Sequence, residues 1–243
     1  MKKDIRSIII AIDGHSSCGK STVARDLAKM LNIAYIDPGA MYRAVTLFAL
    51  RQNMIVDGKI NEEQLRNNLE NIVIDFRLNP DKKLNETYLN GENVEEKIRS
   101  LEVSNNVSPI SALGFVRKHL VALQRRMGEK GGVVLDGRDI GTVVFPNADL
   151  KIFMTASPEI RAKRRYDEMV AKGLTPKFEE ILENIKERDK IDSTRSESPL
   201  KQADDALVLD NSHMTRREQL EWILNKINDI DKSAQTEGGK SFL

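Results

Sequence analysis

The sequence predicts an α/β protein built on a five-stranded parallel sheet flanked by helices, and three observations predict it. Short apolar, β-branched runs recur at residues 7–13 (SIIIAID), 34–37, 133–136, 150–155 and 206–209. They are nearly continuous rather than alternating, which is the pattern of strands buried on both faces. Helical spacing separates most of them, and strand–helix alternation is the mark of crossover connections.

The elements follow in order. After the first strand comes a glycine-bounded loop, then a helix over 20–31 with Val23, Leu27 and Leu31 on one face. The second strand ends at Pro38-Gly39, and a helix is expected from about 40 to 52. Between about 57 and 106 the rhythm breaks. Residues 72–76 read as a strand, Asn79-Pro80-Asp81 as a turn, and 84–89 as a second strand ending in the tight-turn signal Asn90-Gly91. A hairpin inside an α/β pattern reads as an inserted subdomain. The rhythm resumes with a helix over about 113–130, stopped by Gly131-Gly132. Ser157-Pro158-Glu159 supplies an N-cap, a first-turn proline and an early acid for a helix carrying Arg161, Lys163, Arg164 and Arg165. Gly173 ends it, a charged helix follows over about 177–190, and a closing helix over 216–230 contains Trp222. The polar end, 233–243, reads as a frayed tail.

Composition narrows the function. The 243 residues make one large domain or a core with an insertion. Thirty-eight basic against 37 acidic residues leave a net charge of +1, so no overall positive field exists to hold nucleic acid or an anionic membrane. Cys18 is the single cysteine, which excludes an intramolecular disulfide and a Cys-rich zinc site. The first 12 residues lack a secretory apolar region and cleavage site. No stretch approaches the ~18–20 apolar residues of a membrane span, and a cytoplasmic location is expected.

Gly14-His15-Ser16-Ser17-Cys18-Gly19-Lys20-Ser21 matches G-x-x-x-x-G-K-[ST], between a buried strand and an amphipathic helix. Small residues let successive backbone N–H groups point into one concavity, and the helix amino end adds partial positive charge. Lys20 then reaches β and γ phosphates, and the Ser21 hydroxyl can ligate Mg²⁺. A GTPase would need an N-K-x-D motif after a later strand, and none occurs. Arg43 follows the second strand and Arg138-Asp139 the third, so both stand at the edge where open parallel sheets bind ligands. Each arginine offers a fork suited to a second phosphate. Residues 188–195, after a charged helix, read either as a solvated helix end or as a mobile lid that would bring arginines over the transferring group.

Taken together the motifs resemble those of bacterial cytidylate kinases. The carrying runs are G-x-S-x-x-G-K-S-T at 14–22, D-x-G-A-M-Y-R at 37–43, D-G-R-D-I-G-T-V-V-F-P at 136–146, I-K-E-R-D-x-x-D-x-x-R at 185–195 and A-D-x-A-L-V-L-D at 203–210. They are collinear over about residues 5–230. The resemblance implies the P-loop, nucleoside monophosphate kinase fold. Its core would be 1–60, 107–156 and 200–231, its inserted NMP-binding subdomain 61–106 and its helical lid 157–199, with 232–243 a disordered tail. It implies transfer from ATP, with Mg²⁺, to CMP and dCMP in pyrimidine nucleotide metabolism, by a monomer with no nucleic-acid or membrane partner. Gly14, His15, Ser16, Ser17, Cys18, Gly19, Lys20, Ser21 and Thr22 would hold ATP, with Ser21 on the metal and Lys20 and Arg188 acting in catalysis. The acceptor phosphate would lie near Arg43, Arg138 and Arg188, the cytosine near Ser108, Arg117 and Asp139, and the sugar near Asp192, with Arg195 beside the phosphates. Two positions depart from the family pattern: His15 stands where proline is usual, and Pro38 where Ser or Thr is usual.

Two other readings stand beside this one. A P-loop kinase for UMP or another metabolite shares every phosphate-binding feature. A nucleic-acid module would use the basic runs 161–165 and 117–126. Interleaved Leu120 and Leu123, and nearby Asp167 and Glu168, favour a solvated face or lid instead.

Overall fold

The computed structural model describes residues 7–81 and 84–237. In chain order, β1 (Ile9–Gly14), α1 (Lys20–Leu31), β2 (Ala34–Ile36) and α2 (Pro38–Arg51) come first. There follow β3 (Ile55–Val56), β4 (Lys59–Ile60), α3 (Glu62–Asn68), β5 (Ile74–Asn79), β6 (Leu84–Leu89) and β7 (Glu92–Asn93). Next are α4 (Leu101–Ala112), α5 (Gly114–Gly128), β8 (Val133–Gly137) and β9 (Leu150–Thr155). The chain closes with α6 (Pro158–Ala171), α7 (Phe178–Thr194), β10 (Leu207–Asp210) and α8 (Arg216–Glu237). It divides into two compact units, one running up to Tyr35 and again from Gly128, the other Ile36–Met127.

The first unit holds the five-stranded sheet, in the order β10-β9-β1-β8-β2, with β1 parallel to β8 and β9, and β9 parallel to β10. β1 is central, and its Ile10, Ala11 and Ile12 are fully buried. The continuous apolar run follows from that position, because helices cover both faces of a parallel sheet. Ile10, Ile12, Val134, Ile152, Met154 and Leu209 pack with Val23 and Leu27 of α1 and with Ile223 and Ile227 of α8. β1 ends at Gly14, paired with Met154 of β9, where φ is +146° and a Cβ would stand 2.0 Å from the Met154 carbonyl oxygen. No other residue fits there.

In the second unit Asp37 caps α2 by accepting the Ala40 N–H at 2.9 Å, and Pro38 takes a first-turn position. β5 and β6 pair antiparallel from Ile74↔Leu89 to Asn79↔Leu84. Asn90 and Gly91, at φ 49° and 85°, then turn the chain into β7, as two left-handed residues do in a tight hairpin. This unit takes in the hairpin segment 61–106 together with α2, α4 and α5.

The five core strands fall where the apolar runs put them. α4 was not foreseen. It carries Ser104, Asn105, Asn106, Ser108 and Pro109, all poor helix formers, and forms because Ser100 caps it on the Val103 N–H. α8 runs to Glu237, so residues 233–237 are helical rather than tail, and the rest of the expected tail, 238–243, lies outside the described residues. Among the described residues no helix is long and apolar enough to cross a membrane.

Burial in the first unit sets a stability contrast. Leu135→Ala empties a fully buried site in β8 and should cost about 2–5 kcal/mol. Leu207→Ala, at an edge-strand residue 38% exposed, should stay within about 0.5 kcal/mol. Urea midpoints of the two variants against the parent check this.

Candidate active site

The phosphate loop lies between β1 and α1. Ser17 and Gly19 have left-handed backbone, at φ 59° and 89°, and such residues turn consecutive N–H groups into one concavity. A cradle for an anion must also turn its carbonyl oxygens away, and protein donors hold three of them. His15 O accepts from Lys20 Nζ at 2.6 Å and from Cys18 Sγ at 3.0 Å, Ser16 O from Arg161 Nη1 at 3.1 Å, and Cys18 O from Asn211 Nδ2 at 2.7 Å. Lys20, 5% exposed, thus lies folded across the loop. Burial, followed by the Arg138 charge, pushes its ammonium pKa down, against the pull of Asp136 and Asp13.

Ser21 Oγ donates to Asp136 Oδ2 at 2.8 Å, and Tyr35 Oη to Asp136 Oδ1 at 2.7 Å. A hydroxyl beside a carboxylate is an oxygen donor set that suits a hard cation. Among the described residues no group of three His, Cys, Asp or Glu side chains could cage a metal. Mg²⁺ needs no such cage, because one or two carboxylates and substrate phosphates suffice.

The expected acceptor residues fall in both units. In the first, Arg138 Nε donates to Asp192 Oδ2 of α7 at 2.6 Å. Burial would raise the Asp192 carboxyl, but Arg138, then Arg195 and Arg188, hold it below its ordinary value. Arg195 gives two donors to Ser198 O and stands 3.6 Å from Asp192 and 4.0 Å from Asp139. Arg138, Asp139, Asp192 and Arg195 are therefore one charged cluster, with Arg188 half-buried on the same helix. In the second unit, Arg43 Nη1 donates to Ser104 Oγ of α4 at 2.9 Å. Ser108 lies one turn further along that helix, and its carbonyl accepts from Ser111 Oγ. Buried Arg117 donates to Ser111 O at 3.1 Å and stands over the Tyr42 ring.

Residues 10–229 match the family model for cytidylate kinase. The chain belongs to the cytidylate kinase family. A relative named cytidylate kinase from Parabacteroides distasonis is 60% identical over 222 residues, 91% of this chain and 97% of its own length. Another from Porphyromonas gingivalis is 58% identical over 227 residues, 93% of this chain and 98% of its own. A solved structure, an uncharacterized protein from Eubacterium ventriosum, aligns with a TM-score of 0.50 at 13% identity, over 92% of this chain and 99% of that one, and bears on the fold alone.

Sequence reasoning passed over several residues that build this family member's site. Arg161 and Arg164 sit in a run whose sequence suggests a solvated face or lid, yet Arg161 is 2% exposed. Its guanidinium donates to Ala156 O, Ser16 O and both oxygens of Asp189. Arg164 holds Asn211, which in turn holds Cys18 O. The spacing of three puts both arginines on the inward face of α6, while Lys163 and Arg165 look out. Asp189 also stands 3.4 Å from His15 Nδ1, so α7 meets the loop at His15.

Arg161→Ala would remove the guanidinium that Asp189 and the Ser16 and Ala156 carbonyls share, leaving Asp189 only His15. It should cost toward the low end of the ~3–5 kcal/mol of a broken buried pair, Asp189 being partly wet. Burial opposes ionisation of Asp189, but His15 and Arg161 hold its carboxyl at about 2, below the ordinary 3.8. The pair thus stabilises fully above about pH 4 and less as pH falls toward 2. Urea titrations at pH 3 and pH 7 should show parent and variant converging at the acid end.

Proposed function

We propose that this chain transfers the γ-phosphoryl group of ATP to CMP and dCMP. The observation that carries the reading is the match of residues 10–229 to the cytidylate kinase family. The phosphate loop supports it chemically. The loop from Gly14 to Thr22 takes the ATP phosphates on backbone N–H groups and the amino end of α1. Ser21 and Asp136 would hold Mg²⁺, which supplies charge neutralisation at the phosphates. Lys20 exchanges the His15 carbonyl for phosphate oxygens, which favours the charged ammonium that burial opposes.

The acceptor phosphate is already ionised at neutral pH, so no general base is needed, and catalysis is positioning plus neutralisation. Arg43, Arg138 and Arg188 take the acceptor phosphate, Arg188 and Lys20 the charge of the moving group. Asp192 takes the sugar, with Arg195 beside the phosphates. Ser108, Arg117 and Asp139 read the base. Cytosine presents an N4 donor where uracil presents an O4 acceptor, and an ionised carboxylate only accepts. Asp139 therefore favours CMP over UMP. Residues 61–106 serve the acceptor nucleotide, and 157–199 close as a lid. The reading puts the enzyme in the cytoplasm, working as a monomer on nucleotides alone.

ADP release against CMP, dCMP, UMP, AMP and shikimate tests it, with CMP and dCMP expected to turn over fastest. Failure on both, or preference for another acceptor, overturns it. Lys20→Ala should lower kcat about 10²–10³-fold, as loss of a preorganised charge does, with the fold retained by circular dichroism. Asp139→Asn should narrow the CMP over UMP ratio of kcat/KM, because an amide can rotate to donate to O4.

A further inference from the structure

Asp13 is a charged side chain at the end of the central apolar strand, 5% exposed, and the mechanism above leaves it without a role. Its Oδ1 accepts the Ile140 N–H at 2.8 Å and its Oδ2 the Gly141 N–H at 2.7 Å. These two amides open the π-helical stretch Ile140–Val144, directly after Arg138 and Asp139. The seat is tight. A Cβ on Gly141 would stand 3.3 Å from Asp13 Oδ2 and 3.1 Å from Lys151 Cδ. Lys151 closes the far side, its ammonium committed to Pro146 O and Asp205.

We propose that Asp13 is a positioning residue, whose carboxylate fixes the backbone of residues 139–141 and thereby aims Arg138 and Asp139 at the acceptor nucleotide. The proposal rests on the function proposed above. Two adjacent N–H groups need two acceptors, and a carboxylate is the side chain that supplies both, with charge strengthening each bond. An asparagine supplies one acceptor and sets its NH₂ against the other N–H.

The setting also makes this hold pH-sensitive. Burial, and after it the nearby Asp139, push the Asp13 carboxyl up to about 6, against the two amides and Lys20. Below that pH one oxygen carries a proton, and the pair of N–H groups keeps a single good acceptor. A carboxyl raised from 3.8 to about 6 costs the fold stability as pH rises through that window, while the same ionisation tightens the seat. Stability and acceptor handling thus move in opposite directions between about pH 4 and 6. A merely structural hydrogen bond would move them together.

The test uses the full chain, wild type and Asp13→Asn. In ¹⁵N-labelled wild type the amide protons of Ile140 and Gly141 should shift with a midpoint near pH 6, and in Asp13→Asn they should not. Kinetically, Asp13→Asn should raise KM for CMP about tenfold, the scale of one buried partner left unsatisfied, with KM for ATP within twofold. The acid limb of kcat/KM for CMP near pH 6, to which the CMP phosphate itself also contributes, should become shallower than in wild type. Amides that do not titrate would overturn the geometry. Amides that titrate without a CMP effect, or with an equal ATP effect, would overturn the positioning role. Wild type inactive on CMP would instead overturn the proposed function and the acceptor half of this inference, while the amide titration needs no substrate and reads the seat by itself.

Discussion

The carboxyl end of β1 gathers more charge than water reaches. Asp13, Lys20, Asp136 and Arg161 are each less than a tenth exposed. A phosphate site needs this dryness, since the pull of N–H groups and an ammonium on an anion grows as water leaves. The same dryness makes every unpartnered charge expensive. The surrounding structure is therefore arranged around partners. Asp13 takes two backbone amides, Asp136 takes a serine and a tyrosine, and Arg161 spans two carbonyls and a carboxylate. Lys20 folds onto a carbonyl of its own loop. The partners are spread over several elements, so satisfying the charges also fixes β8, α6 and α7 against the loop.

That arrangement explains what the sequence could and could not reveal. The central strands were legible because a strand covered on both faces must be apolar at nearly every position, and β1, β8 and β9 carry that run. The edge strands β2 and β10, partly exposed, showed only as short apolar runs. The loop was legible because Gly14 must meet the Met154 carbonyl and Gly19 must turn left-handed, so the residue types themselves encode the backbone. Arg161 was not legible. In a run of four basic residues all look alike until the phase of α6 against the loop is known. Asp13 left a faint signal, a lone charge closing an apolar strand, but its partners lie 127 and 128 residues away. α4 was hidden because its propensity argues against a helix, and only the Ser100 cap and packing with α2 overrule it. For the acceptor site, strand ends justify Arg43 and Arg138 on physical grounds. Ser108, Arg117 and Asp139 were reachable only through the resemblance, since a serine, an arginine and an aspartate scattered over 32 positions carry no pattern of their own.

Burial then separates ion pairs that tie from ion pairs that can be exchanged. Arg161 and Asp189 are 2% and 18% exposed, and the guanidinium is further committed to two carbonyls. Opening that pair would strand a dry cation with nothing to replace its two bonds to the carboxylate, so it holds α6 and α7 together. Arg138 and Asp192 are 20% and 17% exposed and share one close contact through Nε. Water reaches both partners, which lowers the cost of parting them. In the proposed function a phosphate takes the Arg138 fork in place of that single bond, and a ribose hydroxyl offers Asp192 a donor in return. The two carboxylates sit three residues apart on α7, neighbours on one face of the helix. Under the proposed function one helix therefore stays anchored to the loop through Asp189 while it releases Asp192. Such a division of labour needs arginine at both places. A lysine would keep the charge, but its single ammonium cannot span two carbonyls and a carboxylate at Arg161, or present a planar fork at Arg138.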